Sequence, residues 1–155
     1  MKSTLIAFLF TLIAPASVLA CPNLAGSYRS APDQNGMTEA WYIMQDASHG
    51  VTTYKLLPSG IYTPPLSMAT TAVADGQSRE DYAWTYYGFE KASLDFSCRD
   101  QHSLVGVLEY RNDKGEGVVE HEIFYLDAEK HLVLESAVVT NGKLQSFREV
   151  FDQLD

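Results

Sequence analysis

His131-Leu-Val-Leu-Glu-Ser-Ala-Val-Val-Thr140 runs into Asn141-Gly142, and Lys143-Leu-Gln-Ser-Phe-Arg-Glu-Val-Phe151 follows. Two β-rich runs joined by Asn-Gly form the strongest short hairpin signal, because a type I′ turn needs positive φ at both central positions. With Thr140 opposite Lys143, Val139 faces Leu144, Ser136 faces Phe147 and Leu134 faces Glu149. Glu135 faces Arg148, an opposed ion pair that favours this register.

The preceding hairpin follows if Ala128-Glu129 is a two-residue turn. His121 then lies opposite Ser136 and Ile123 opposite Leu134. One face of the three strands collects Val119, His121, Ile123, Tyr125, Leu132, Leu134, Ser136, Val138, Gln145, Phe147, Glu149 and Phe151. The other collects Glu120, Glu122, His131, Glu135, Arg148 and Asp152. The charge imbalance puts the first face inside and the second in water. A one-residue slip at Ala128-Glu129 would invert the Val118–Leu126 strand and take His121 out of the interior.

Outward from this region the same grammar repeats. Candidate strands are Ala25–Ser30, Glu39–Gln45, Val51–Leu57, Ser67–Val73, Tyr82–Phe89, Ala92–Cys98, Ser103–Arg111, Val118–Leu126, His131–Thr140 and Leu144–Phe151. Turn-rich separators such as Pro32-Asp-Gln-Asn-Gly36, Pro58-Ser-Gly60 and Asn112-Asp-Lys-Gly115 divide them. No stretch holds a helical apolar period for more than about two turns. Short strands without crossover helices pair antiparallel, mostly with chain neighbours. The expected fold is all-β, an antiparallel barrel of about 8–10 strands, with a β-sandwich as the alternative.

Residues 1–20 read as a secretory signal peptide: Lys2, the apolar run Leu5–Ala14, then small residues up to Ala20. Residues 21–155 then form one domain of 135 residues, long enough to bury a real core. The chain carries 20 acidic and 11 basic residues, a net charge of −9. Such a charge repels phosphate backbones, which argues against nucleic acid as a partner and leaves a basic protein as a possible one. Two readings of Cys21 compete. An oxidising compartment would pair it with Cys98. Alternatively Val18-Leu-Ala-Cys21 resembles a bacterial lipobox, in which Cys21 is acylated and anchors the protein in the envelope. The disulfide is preferred because acylation strands Cys98 as a free thiol. The protein is expected to be exported, periplasmic or secreted, touching membrane only if Cys21 is acylated.

The candidate site is the inner face: His121, Ser136, Phe147 and Glu149, joined by Tyr110 if Ser103–Arg111 pairs beside Val118–Leu126. Sparse polar groups in an apolar, aromatic lining suit a small-molecule pocket. The bland alternative places His121 and Glu149 at a barrel mouth in water. Histidine, serine and glutamate together suggest hydrolysis, but no strained nucleophile motif such as Gly-x-Ser-x-Gly occurs, so no catalytic residue is assigned. His49, His102, His121 and His131 lack metal-ligand spacing, and Glu120, Glu122 and Glu135 read as a solvated acidic patch. No metal or cofactor is expected. In the aromatic run Tyr82–Phe89, alternation sends Tyr82, Trp84 and Tyr86 to one face and Tyr87 and Phe89 to the other. The loop Gly60–Leu66 is long enough to form a lid.

The start of the mature chain, Asn23-Leu-Ala-Gly26-Ser27-Tyr28, together with Arg148 in the last strand, resembles the lipocalin-like barrels. Those families open with a glycine and an aromatic ring against which a last-strand arginine packs. The resemblance implies a cation–π lock between Tyr28 and Arg148 that closes the barrel. It also implies an up-and-down barrel around a ligand cavity. The functional expectation is an exported, non-enzymatic protein that holds a small apolar or amphipathic molecule. The alternative is an envelope or secreted protein-binding module, such as an inhibitor of a basic hydrolase.

Overall fold

Strand after strand pairs with its chain neighbour in the computed structural model, which describes residues 20–59 and 64–154. The expected signal peptide, but for Ala20, and the loop residues 60–63 lie outside the described residues. Ten strands follow one another: β1 (Gly26–Ser30), β2 (Ala40–Asp46), β3 (Thr53–Ser59), β4 (Thr70–Val73), β5 (Arg79–Thr85), β6 (Gly88–Cys98), β7 (Ser103–Arg111), β8 (Gly117–Leu126), β9 (Leu132–Thr140) and β10 (Lys143–Gln153). They form one antiparallel sheet ordered β4-β3-β2-β1-β10-β9-β8-β7-β6-β5. Closure comes from β1 pairing with β10 (Tyr28 opposite Gln153, Ser30 opposite Phe151). The remaining seam, between β4 and β5, is stitched by single contacts. Gly76 N–H donates to the Phe96 carbonyl at 2.8 Å, Trp84 N–H to Thr70 Oγ1 at 2.8 Å, and the Trp84 indole to the Met68 carbonyl at 2.7 Å. The result is a nearly closed up-and-down barrel of the lipocalin-like kind. Among the described residues no helix is long and apolar enough to cross a membrane.

The lower half of the barrel is solid. Tyr28, Tyr54, Phe96, Phe124 and Phe151 fill it with almost no exposure. Gly106 makes room for Phe96, since a Cβ there would sit 2.9 Å from its Cδ1 and closer still to Cε1. The segment ahead of β1 crosses the floor. Buried Leu24 donates its N–H to Gln45 Oε1 at 3.1 Å, and its carbonyl accepts the Tyr28 hydroxyl at 3.0 Å. The Tyr54 hydroxyl donates to the Pro22 carbonyl at 2.6 Å. Cys21 is bonded to Cys98 at the end of β6, with Cα atoms 5.3 Å apart. The bridge consumes the sulfur that an acyl anchor would need, so the lipid-anchored alternative is corrected. A paired cysteine of this kind belongs to an oxidising, exported compartment.

The Asn141-Gly142 hairpin has the expected register from Lys143–Thr140 to Phe151–Leu132, with φ of 51° and 71° at the turn. The preceding hairpin is one residue out of the expected register. Leu126 pairs with Leu132, and Ala128, Glu129 and Lys130 make a three-residue loop with Lys130 at φ 67°. Asp127 Oδ1 stabilises it by accepting the N–H groups of Glu129 and His131, each at 2.9 Å. The extra residue shifts β8 against β9, so His121 faces Ala137 and Glu122 faces Ser136. A shift of one residue exchanges the two faces of a strand. His121 therefore points outward, while Glu120 and Glu122 point inward at 3 % and 6 % exposure.

Two further expectations are corrected. The run Tyr82–Phe89 is not one strand, because Thr85 pairs with Gly88 and Tyr86-Tyr87 form the turn between β5 and β6. Gly88 takes φ 131°, a conformation open to glycine. The reversal sets Trp84 opposite Phe89, with ring centroids 5.4 Å apart, rather than on the other face. The proposed Tyr28–Arg148 lock is absent. Tyr28 points into the core, whereas Arg148 faces outward with Nε 3.4 Å from Glu135 Oε1.

Candidate functional site

Above the solid floor the barrel opens into a cavity of about 780 Å³. The volume falls in the range of small-molecule sites. Its walls come from the upper ends of the strands: Ala40 and Trp41 on β2, Pro58 and Ser59 on β3, Leu134 and Ser136 on β9, and Phe147 and Glu149 on β10. The β5–β6 turn contributes Trp84 to Gly88. Both tryptophans of the chain line the cavity. One flank is open in the ladder: β1 reaches only Phe151–Gln153, so Lys143–Val150 have β9 as their sole ladder neighbour among the described residues. Glu39 just ahead of β2 and Glu149 on β10 border the cavity on that flank.

The turn between β5 and β6 shapes the upper wall. Tyr86 stacks on Phe147 at 5.2 Å and meets Tyr87 edge-on at 5.1 Å, and Tyr87 lies 6.3 Å from Tyr110. Offset and edge-on ring pairs of this kind each contribute about 0.5–1.5 kcal/mol beyond their area. They hold the turn against the mouth without a covalent tie.

Glu120 organises the polar floor of the cavity. Its carboxylate accepts the Tyr86 N–H at 3.0 Å, the Tyr110 hydroxyl at 3.0 Å and the Ser136 hydroxyl at 3.2 Å. Burial, then the neighbouring Glu120 charge, hold the Tyr110 hydroxyl above its ordinary value. Glu122 points the same way two residues along β8 and has no hydrogen-bond or ion-pair partner among the described residues. Burial raises its carboxyl well above the usual range, and the Glu120 charge adds to the effect. Glu149 at the rim is open to solvent on one side, yet partial burial and the charge of Glu39 raise its carboxyl too. Nearby on β6, Glu90 Oε2 is buried without a hydrogen-bond partner.

Of the residues singled out from sequence, Ser136, Phe147 and Glu149 line this cavity, and Tyr110 stands behind it through Glu120. His121 does not join them, so the histidine, serine and glutamate set is not assembled. Sequence reasoning missed Glu39, Trp41, Glu120 and Glu122 as wall residues. It assigned the last two to water on charge alone. A separate cluster, Asp127, Glu129 and His131, lies in the β8–β9 loop with ligand atoms within 4.8 Å of one another. Its Asp127 carboxylate is already occupied in capping the loop and bonding His131 Nδ1 at 3.1 Å.

No protein-family model and no curated protein matches this sequence.

Proposed function

We propose that the protein is an exported, non-enzymatic binding protein that holds a small amphipathic molecule in the mouth of its barrel. The observation that carries this reading is the cavity itself: about 780 Å³, walled by Trp41, Trp84, Tyr86 and Phe147, with polar groups converging at one place. An apolar lining with few, fixed polar groups is what small-molecule recognition uses. The solid lower half and the disulfide-tied floor support it by preorganising the wall, which lowers the ordering cost of binding. The location proposed with this reading is the periplasm or the surrounding medium, supported by the disulfide of an oxidising compartment.

Because Trp41 and Trp84 both border the cavity, an occupant alters tryptophan emission directly. The test is a titration with Nile red and with unlabelled fatty acids, retinoids and arylalkyl compounds. The expected result is a saturable, one-site change that Ser136→Phe abolishes by filling the cavity while circular dichroism stays native. No saturable change with any compound overturns the reading.

A further inference from the structure

We infer that the cavity selects an organic cation: a molecule with a primary ammonium on an apolar or aromatic body, its nitrogen seated between Glu120 and Glu122. This rests on the binding reading above and specifies the ligand's chemistry. Among the described residues four carboxylates border the cavity, Glu39, Glu120, Glu122 and Glu149, and no lysine, arginine or histidine does. Acidic residues alone would mean little. The second observation is Glu122, 94 % buried by its 6 % exposure, aimed into the cavity and left without a partner among the described residues. An ionised carboxylate in that position is costly unless a cation meets it. Among the described residues nothing in the wall supplies one, so the carboxyl stays protonated in the unliganded protein and its ionisation waits for a cation carried in by the occupant.

The two carboxylates differ in a way that suits an ammonium. Glu120 is fixed by three donors and offers a rigid acceptor. Glu122 lies two residues on, about 7 Å along the strand, so a nitrogen placed between them reaches both. An ammonium carries three donors and no acceptor. Glu120, Glu122 and the Ser136 oxygen, which stands opposite Glu122 in the register, supply three acceptors. The aromatic rings above complete the match, since a cation is attracted to ring faces and the attached body packs on them. A hard metal ion fits less well. It wants six to eight oxygens, and among the described residues no third carboxylate or histidine comes within ligand distance of this pair.

The experiment is isothermal titration of the oxidised protein with phenylbutylamine, phenylbutanol and phenylbutyrate, matched in shape and differing in charge. The amine is expected to bind at least about tenfold more tightly than the alcohol, as a charge-assisted hydrogen bond provides, with the carboxylate weakest. Glu122→Gln, and independently Glu120→Gln, should reduce the amine to the level of the alcohol in a protein of native circular dichroism. Glu109→Gln, on the outer face of β7, makes the same change in net charge and should leave the preference intact. Equal binding of amine and alcohol overturns the cation inference while the cavity remains a binding site. Equal loss in Glu122→Gln and Glu109→Gln also overturns it, by assigning the preference to net charge. Failure of all three compounds to bind overturns the inference and the binding reading together.

Discussion

Replacing both Cys21 and Cys98 by serine tests how the barrel floor is held. The bridge spans a sequence separation of 77 residues. In the chain-entropy treatment a loop of that length removes about 15 cal/mol/K from the unfolded chain, or about 4.5 kcal/mol at 25 °C. A second contribution depends on what the floor segment does once freed. Pro22 and Leu24 keep their hydrogen bonds to Tyr54, Gln45 and Tyr28 if the segment stays docked, and the loss is then the entropic one. If it detaches, exposing Leu24 adds about 1.5–3 kcal/mol. The assay is urea unfolding followed by tryptophan emission, comparing the oxidised protein with the double serine variant. At about 1–3 kcal/mol per molar urea, a loss of about 4.5 kcal/mol lowers the midpoint by roughly 1.5–4.5 M. Since a domain's whole stability is about 5–15 kcal/mol, the variant is expected to be marginal at 37 °C. A fall below about half a molar would refute the reasoning, because the bridge would then constrain nothing the fold does not already constrain.

The remaining predictions concern pH and packing. His131 is held above the ordinary imidazole value by its hydrogen bond to Asp127, with further help from the Asp127, Asp152 and Glu129 charges. Its contribution is complete below about pH 6.5 and is lost as pH rises through the raised native value. Melting curves of wild type and His131→Gln should therefore converge in alkali and diverge in mild acid; convergence at both ends would exclude the pairing. Glu122 is raised as well, by burial, and the same sign follows at lower pH. The native state keeps its proton longer than the unfolded chain, so stability falls as pH rises from the ordinary carboxyl range, near 4.3, toward the raised value. Glu122→Gln should melt above wild type at about pH 8 and level with it near pH 4, and an equal or lower melting temperature at the higher pH would contradict the burial argument. Gly106→Ala drives a methyl into the ring of Phe96, which has 1 % exposure and little room to move. Denaturant titration should show a loss of about 1–3 kcal/mol, the usual cost of overpacking.

The sequence carried the fold where local chemistry dictates backbone shape. Asn141-Gly142 adopts the positive φ its type I′ turn requires, and the register followed to the residue. The Ala128–Lys130 loop was illegible because a lysine occupies the left-handed position where glycine would announce it. One unsignalled residue there inverted β8 and, with it, the candidate site. The charge rule then compounded the error. It sends carboxylates to water, whereas Glu120 is inside because Tyr86, Tyr110 and Ser136 supply its hydrogen bonds from two other strands and a turn. Those donors are distant in the chain, so no local pattern contains them. Gly88, by contrast, was a usable sign that the aromatic run turns back on itself.

The seam between Gly26–Ser30 and the final strand has a consequence for biogenesis. Leu154 N–H reaches the Ser27 carbonyl at 2.8 Å, so the first strand of the wall waits for the tenth to be synthesised. Until then the nascent chain has no finished hydrogen-bonded cylinder to fall into, and contacts so remote in sequence form late. A wall that cannot close before β10 has emerged leaves the earlier strands open, and an open chain is what a narrow translocation channel can pass.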